Sequence, residues 1–250
     1  MPDPRFLVAI PVYNERGTVL KVLDKARTYV DDILVIDDGS TDGTAEILAA
    51  QSALQLIRHP SNLGYGKSLA DAFAYARTSG YDWLITMDCD EQHEPAFLPK
   101  FQAAAKDDQA DLISGSRYQA GLTDRGLPPP DRRRINARIT ALLNERLGLD
   151  LTDAFCGFKA YRVSVLADLC ITEPGYAMPL QVWVQAVRAG WRVAELPVRL
   201  IYHDTGRRFG GGLDDPSVRF NYYLNVLETE LERHPTTASL SGCDSIHAPC

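Results

Sequence analysis

The stretch from Tyr81 to Pro95 reads YDWLITMDCDEQHEP, and it indicates both the fold class and the place of a functional site. Its apolar run, Trp83–Met87, predicts a buried strand that ends in Asp88 and Asp90. In an extended segment residues i and i+2 point to the same side, so these carboxylates converge at the strand's end. Two carboxylates about 4 Å apart repel by ~4 kcal/mol at an effective dielectric constant of about 20. A hard divalent cation would relieve that repulsion, although a polar turn is the other interpretation of an isolated D-x-D.

Short apolar runs alternate with helical patterns on both sides of this stretch. The predicted strands are 6–10, 33–36, 56–57, 83–87, 111–114 and 191–198, and the predicted helices are 15–29, 45–54, 68–78, 95–106, 133–147 and 218–231. This alternation predicts an α/β fold with a mostly parallel sheet flanked by helices. Ligands bind outside the carboxyl ends of such strands, so the segments that follow the strands should share one edge.

Composition limits the classes of function. The net charge of −7 argues against general nucleic-acid binding, which requires a basic surface. The arginines at 132–134 and 207–208 form local basic sites that suit a small anionic ligand. Five scattered cysteines without a C-x-x-C pair favour neither a zinc ribbon nor a disulfide framework, so we expect a cytoplasmic protein. Without a signal-like start or 18 consecutive apolar residues, we expect only peripheral contact with a membrane, on its inner face.

Further motifs occur in a fixed order along the chain. They are Pro11–Glu15, Asp37–Thr44, Asn62–Lys67, Asp88–Gln92, Gly115–Arg117 and Asp153–Tyr161. Together they resemble the GT-A glycosyltransferases of family 2, in the branch of the dolichyl-phosphate mannose synthases. The resemblance covers residues 6–200, and it is strongest over the first 120. It implies one GT-A domain over 1–233, with a nucleotide-sugar-binding half (6–118) and an acceptor-side half (119–233). We expect the polar tail, 234–250, to be disordered.

The resemblance assigns a nucleotide-sugar site and a metal site. The implied nucleotide-sugar contacts are Pro11, Tyr13, Asn14, Glu15, Asp38, Gly66, Lys67, Asp88 and Cys89. Asp88, Asp90 and Gln92 would bind Mg²⁺ or Mn²⁺ together with the donor diphosphate, which makes Asp90 a catalytic residue. Two readings of single residues stay open at this point. Helix capping alone would explain the turn at Asp38, and a solvated helix start would explain Lys67. A Walker A loop is excluded, because Ser61 stands where its first glycine is required.

The resemblance also implies a basic site for the phosphate of a polyprenyl-phosphate acceptor. Its expected members are Arg117, Arg133, Arg138, Arg207 and Arg208. Arginine donates to phosphate at two points, although a solvated helix start would also explain residues 132–134. A phosphomonoester is largely dianionic at neutral pH, so it can attack the anomeric carbon without a general base and with inversion. Asp153 is the candidate base for a hydroxyl acceptor, or else it positions basic side chains near the phosphate.

Some residues depart from the family pattern, and others are explained without a functional role. Gln181 stands where an acidic residue is common, and the arginines at 207–208 precede a glycine-rich segment that could close on phosphates. We expect Cys156 to be a buried thiol without a catalytic role. His93 is expected to be a loop histidine, with support of the metal ligands as the alternative.

The sequence thus predicts an inverting, metal-dependent transfer of a hexose from a GDP- or UDP-sugar to a polyprenyl phosphate. Two alternatives stay open. One is a family-2 transferase that acts on a hydroxyl acceptor, and the other is a non-catalytic protein that binds nucleotide sugars.

Overall fold

The computed structural model describes residues 3–51, 54–119, 128–202 and 209–235. In these ranges the strands are β1 (Phe6–Val12), β2 (Ile33–Asp37), β3 (Gln55–Arg58), β4 (Trp83–Thr86), β5 (Leu112–Ser116), β6 (Lys159–Arg162) and β7 (Val193–Pro197). The helices are α1 (Val19–Arg27), α2 (Thr44–Ala49), α3 (Tyr65–Thr78), α4 (Leu98–Lys106), α5 (Pro130–Leu147), α6 (Met178–Arg188) and α7 (Pro216–Arg233). Short 3₁₀ turns cover Pro95–Phe97 and Val163–Asp168.

The seven strands in these ranges form one sheet in the order β3-β2-β1-β4-β6-β5-β7. Strands β1 to β4 pair in parallel, as do β5 and β7, whereas β6 runs antiparallel to both of its neighbours. The predicted mostly parallel α/β sheet is therefore confirmed. The division into a donor-side half and an acceptor-side half stays a prediction.

The sequence prediction missed β6 and α6. Strand β6 has four residues, KAYR, and its charged ends conceal a central pairing with β4 and β5. In helix α6 every residue from Met178 to Ala186 is buried, the polar Gln181 and Gln185 included. Both glutamine side chains donate to the buried carboxylate of Glu230 in α7, so the polar face of this helix lies in the core, and the sequence alone does not show that partner.

The sheet is the middle layer of the fold. Successive side chains point to opposite faces, so Leu34 and Ile36 pack on one side while Ile33 and Val35 pack on the other. The first core includes residues of α3, α5, α6 and α7, such as Trp183, which is fully buried. The second core includes residues of α1, α2 and α4. Helices thus cover both faces, and ligand access is left to the edges.

The pairing register brings the polar segments to one edge of the sheet. Val12 pairs with Asp37 at the carboxyl ends of β1 and β2, and Ala9 pairs with Thr86 at the end of β4. Thr86 in turn lies opposite Lys159, the first residue of the antiparallel β6. The segment that precedes β6 therefore reaches the same edge as the residues that follow β1, β2 and β4.

Candidate active site

A cavity of about 960 Å³ opens at this edge. Ten residues from the predicted site line it, namely Pro11, Tyr13, Asn14, Glu15, Asp38, Asp88, Cys89, Asp90, Gln92 and Arg117. The segments after β1, β2, β4 and β5 thus meet in one place, as the strand-end rule predicts.

The carboxylate of Asp88 is held from several sides. The hydroxyl of Tyr65 donates to Asp88 Oδ1 at 3.2 Å, and the backbone N–H of Asp88 donates to Nδ1 of His93 at 2.9 Å. A Cβ on Gly157 would lie 2.5 Å from Asp88 Oδ2, so only glycine permits this approach. Burial and the negative charge of Asp90 both raise the pKa of Asp88, against the lowering effect of His93. The protein therefore holds the Asp88 carboxylate in a fixed position, near enough to Asp90 for the two charges to repel.

Residues 88–92 have the donor set of a hard-cation site. Asp90 Oδ1 accepts the backbone N–H of Gln92 at 3.0 Å, and Glu91 adopts a left-handed φ of 61°, so the turn is tight. Carboxylate and amide oxygens are the ligands that Mg²⁺ and Mn²⁺ prefer. Within the described ranges, no group of three His, Cys, Asp or Glu side chains forms a metal site. A cation at Asp88, Asp90 and Gln92 would need further oxygen ligands, which a diphosphate can provide.

The loops after β1 and β2 are linked through Asn14. Its backbone N–H donates to Ser40 Oγ at 2.9 Å, and its side-chain Oδ1 accepts the N–H of Thr41 at 2.8 Å. Asn14 has a φ of 56°, a left-handed conformation that asparagine tolerates better than most residues. The neighbouring Tyr13 side chain is 44% exposed on the cavity wall. This arrangement leaves an aromatic ring available beside the predicted nucleoside site.

Asp38 is buried at the cavity wall and fixes the next loop. Its carboxylate accepts the backbone N–H groups of Leu63 at 2.8 Å and Gly64 at 2.9 Å, and it also contacts His59. Capping of α2 does not involve it, because Gly43 is the N-cap residue there. Sequence reasoning did not identify His59, whose two partners are 21 and 12 residues away.

Gly66 and Lys67 are not part of the described cavity wall. Their backbone N–H groups donate to the carbonyl of Pro174 at 2.6 and 3.3 Å, and the Lys67 ammonium pairs with Asp71. A Cβ on Gly66 would lie 2.2 Å from the Glu173 carbonyl oxygen. This glycine thus permits helix–loop packing, and the nucleotide contacts predicted for both residues have no support in their positions.

Arg117 and Asp153 form a two-point ion pair behind the cavity. Nε donates to Oδ2 at 2.6 Å and Nη2 donates to Oδ1 at 2.9 Å, while Asn136 Nδ2 donates to Oδ1 at 2.7 Å. Burial acts to raise the pKa of Asp153, but Arg117 and Asn136 bring it below its ordinary value. Arg117 lines the cavity, whereas Asp153 is fully buried and is not part of the described wall. Two roles were predicted for Asp153, that of a general base and that of positioning basic side chains. Its buried and paired position favours the second role, the orientation of Arg117.

The arginines at the acceptor-side end differ from those expected. Arg132 and Arg219 line the cavity, and each guanidinium carbon lies 4.6 Å from the Phe209 ring centre. Arg138 instead stacks on Phe220 at 3.9 Å. Arg133 lies 5.7 Å from the ring centre of Tyr118 and is also not part of the described wall. The predicted Arg207 and Arg208 lie outside the described residues, as does most of the predicted tail, 236–250.

Arg219 was not predicted because it lies within an otherwise amphipathic helix. It is 2% exposed, pairs with Asp131 at the start of α5, and donates to the Leu213 carbonyl at 2.6 Å. It therefore ties the segment before α7 to α5 at the cavity mouth. Aromatic rings complete this end, contributed by Tyr118, Phe155, Tyr176, Tyr202, Phe209 and Tyr223.

The structure bears differently on Cys156 and His93, for which the sequence favoured an interpretation without a functional role. Cys156 is a fully buried free thiol whose Sγ lies 3.9 Å from His93 Nε2, so its expected burial is confirmed, and its lack of a catalytic role stays a prediction. His93 does lie in a loop, but it is buried and bonded to the backbone of Asp88. The support of the predicted metal ligands was the alternative for this residue, and its position favours that alternative.

An acidic site at the ends of parallel strands, beside an antiparallel strand within a mixed sheet, agrees with the expected GT-A glycosyltransferase fold. The chain belongs to glycosyl transferase family 2, whose sequence pattern matches residues 7–170. The family and fold predicted from the ordered motifs are therefore confirmed, and the protein is a glycosyltransferase.

Curated relatives match most of the chain. An undecaprenyl-phosphate mannosyltransferase from Micrococcus luteus is 32% identical over 84% of this chain and 89% of its own length. A polyprenol monophosphomannose synthase from Mycolicibacterium smegmatis is 32% identical over 82% of this chain and 80% of its own length.

A solved structure shares the fold. Glucosyl-3-phosphoglycerate synthase from Mycobacterium tuberculosis, in complex with UDP, superposes with a TM-score of 0.70 at 21% identity. The match covers 92% of this chain and 80% of that one. Among the described helices, none has the length and apolar character needed to cross a membrane.

Proposed function

We propose that the protein transfers a hexose, with inversion, from a nucleoside-diphosphate sugar to a polyprenyl phosphate, using Mn²⁺ or Mg²⁺. The observation that carries this proposal is that one cavity combines two sets of side chains. Carboxylate and amide groups of Asp88, Asp90 and Gln92 line it together with the guanidinium groups of Arg117 and Arg132 and several aromatic rings. The first set suits a cation with a diphosphate, and the second suits an anion that carries an apolar group.

The names of the relatives support this choice of acceptor. Both curated relatives are named for mannosyl transfer to a polyprenyl phosphate or polyprenol monophosphate. Mannose is therefore the first sugar to test, while the donor base is left open between GDP and UDP. The enzyme would meet its lipid acceptor by peripheral contact with the cytoplasmic membrane.

On the donor side, Asp88, Asp90 and Gln92 would hold the cation, and Tyr13, Asn14 and Glu15 would contact the nucleoside. Solved structures that share the fold contain Mn²⁺ with UDP-glucose, or Mg²⁺ with UDP. A bound cation neutralises the diphosphate and stabilises it as the leaving group. Asp88 is kept in place for this role by Tyr65, His93 and the close approach of Gly157.

On the acceptor side, Arg117 would direct the phosphate toward the anomeric carbon. Its guanidinium is already fixed by Asp153, so little conformational entropy is lost when an anion binds. The dianionic phosphate oxygen attacks the sugar on the face opposite the departing diphosphate, which inverts the anomeric centre. No proton needs to be removed from such a nucleophile, so Asp153 can stay ionised and paired throughout.

The hydroxyl-acceptor alternative has a different requirement. A hydroxyl nucleophile needs a base, and the predicted base is buried and saturated with hydrogen bonds from Arg117 and Asn136. The arginines would still bind a small phosphorylated acceptor, so an experiment must separate the two acceptor classes.

Purified full-length protein with Mn²⁺ and labelled GDP- or UDP-hexoses tests the proposal. Each donor is offered with a polyprenyl phosphate in detergent, with the matching polyprenol, or with a phosphorylated hydroxy acid. We expect labelled product only with the polyprenyl phosphate, and none after chelation with EDTA. Transfer only to hydroxyl groups would replace the proposed acceptor, and donor binding without transfer to any acceptor would support the non-catalytic alternative.

A further inference from the structure

Four side chains, joined by an ion pair and two hydrogen bonds, connect the protein surface with the donor end of the cavity. The Lys67 ammonium pairs with Asp71, Asp71 Oδ2 lies 2.9 Å from His59 Nε2, and His59 Nδ1 lies 2.7 Å from Asp38 Oδ1. Lys67 is exposed, whereas His59 and Asp38 are 6% and 4% exposed. Asp38 lines the cavity. We call Lys67, Asp71, His59 and Asp38 the charge row.

The imidazole of His59 joins two carboxylates. Each ring nitrogen faces a carboxylate oxygen, so the ring bridges Asp38 and Asp71, and Lys67 pairs with the outer carboxylate. A hydrogen bond to an ionised carboxylate is charge-assisted whichever ring nitrogen donates it. Charge-assisted bonds in a buried position are stronger than neutral ones, so this arrangement restricts Asp38 to one orientation.

The surrounding backbone explains why Asp38 needs this support. Its carboxylate also accepts the N–H groups of Leu63 and Gly64, so it joins the loop after β2 to the loop after β3. Gly39 lies so close that a Cβ there would be 2.4 Å from the Ser61 carbonyl carbon. The two loops are packed backbone to backbone, and His59 fills the space behind the carboxylate.

We propose that His59 and Asp71 are positioning residues for nucleoside recognition. They hold the Asp38 carboxylate in place at the donor subsite, where it accepts hydrogen bonds from base or ribose donor groups. Lys67 acts through Asp71 and does not contact a phosphate. The inference rests on the proposed function, because it requires that the nucleoside of the donor binds beside Asp38.

Nucleotide affinity is the direct test of this role. GDP and UDP are titrated calorimetrically, with Mn²⁺, into wild-type protein and into the His59→Gln, Asp71→Asn and Asp38→Asn variants. Loss of a charge-assisted bond is expected to raise the Kd of the preferred nucleotide about tenfold in His59→Gln and in Asp71→Asn. The kcat at saturating donor should change by less than about twofold. Asp24→Asn, on the exposed face of α1, is the matched control and should leave the Kd unchanged.

The outcomes separate the inference from the proposed function. Normal affinity in Asp38→Asn would remove Asp38 from the donor site, and the inference with it. Weak binding in Asp38→Asn with normal binding in both His59→Gln and Asp71→Asn would overturn the inference alone. A lower Tm with unchanged Kd would show that the charge row only stabilises the loops. If His59→Gln does not fold, Asp71→Asn decides, since it keeps an oxygen that accepts a hydrogen bond from the ring and removes only the charge of the carboxylate.

Discussion

Arg117 and Asp153 are joined by two hydrogen bonds, from Nε to Oδ2 at 2.6 Å and from Nη2 to Oδ1 at 2.9 Å. Asp153 is fully buried, and the backbone N–H of Arg117 adds a third bond at 3.2 Å. The pair therefore fixes the position of the Arg117 guanidinium at the cavity wall.

Asp153→Asn is expected to damage acceptor use through this geometry. A misplaced Arg117 should lower kcat/KM for the acceptor about 100-fold, because small displacements of a positioning group are costly. Loss of one partner of a buried ion pair should also lower the free energy of unfolding by ~3 kcal/mol. Steady-state kinetics and urea unfolding measure the two effects. If Asp153 were a general base, the pH dependence of the remaining activity would change as well, whereas we expect its shape to be kept.

The acceptor-side arginines offer a matched pair of variants. Arg132 lines the cavity and Arg138 stacks on Phe220 outside its described wall, although both belong to α5. Arg132→Met should raise the KM for polyprenyl phosphate about tenfold, while Arg138→Met should leave it unchanged. Donor KM should stay constant in both. Equal effects of the two substitutions on the acceptor KM would show that α5 acts through general surface charge.

Lys159 should make the free energy of unfolding depend on pH in the alkaline range. Its ammonium group is buried, donates to Ser114 Oγ and lies 4.6 Å from the Trp183 ring centre. Burial lowers its pKa to about 8 from an ordinary value of 10.5. The folded protein therefore releases this proton before the unfolded chain does, and stability should rise between pH 8 and pH 10.5 by on the order of 3 kcal/mol.

Urea unfolding across that pH range checks the prediction for Lys159. Lys159→Met keeps the apolar stem and removes the titrating group, so its stability should lack this rise. A wild-type rise that persists unchanged in Lys159→Met would assign the effect to other groups. Lys106→Met, at an exposed position, serves as the control and should retain the wild-type profile.

Much of the fold and the donor end of the site could be predicted because they depend on local pattern. The apolar run before Asp88 predicts a buried strand, and the alternation of strands with helices places residues 11–15, 37–44 and 88–93 at a common edge. The register between β1, β2 and β4 confirms this placement. Parallel pairing and strand-end chemistry need no knowledge of distant side chains.

The remaining features depend on contacts between distant segments. Strand β6 pairs antiparallel with residues that are far away along the chain, and nothing in KAYR itself specifies that pairing. Gly64 and Gly66, which precede the predicted nucleotide contact Lys67, lie against the backbone of Pro174 and Glu173, and a linear pattern does not show this packing. Arg219 and His59 act through partners on other elements, which a linear pattern does not show.

The central claim is that Asp88 and Asp90, at the end of β4, bind a cation that holds the donor diphosphate. Calorimetric titration of the preferred nucleotide sugar tests it in wild-type protein with Mn²⁺, in wild-type protein with EDTA, and in the Asp88→Asn/Asp90→Asn variant with Mn²⁺. We predict that chelation weakens wild-type binding at least about tenfold, and that the variant gains no affinity from Mn²⁺. Equal affinity under all three conditions would contradict the claim.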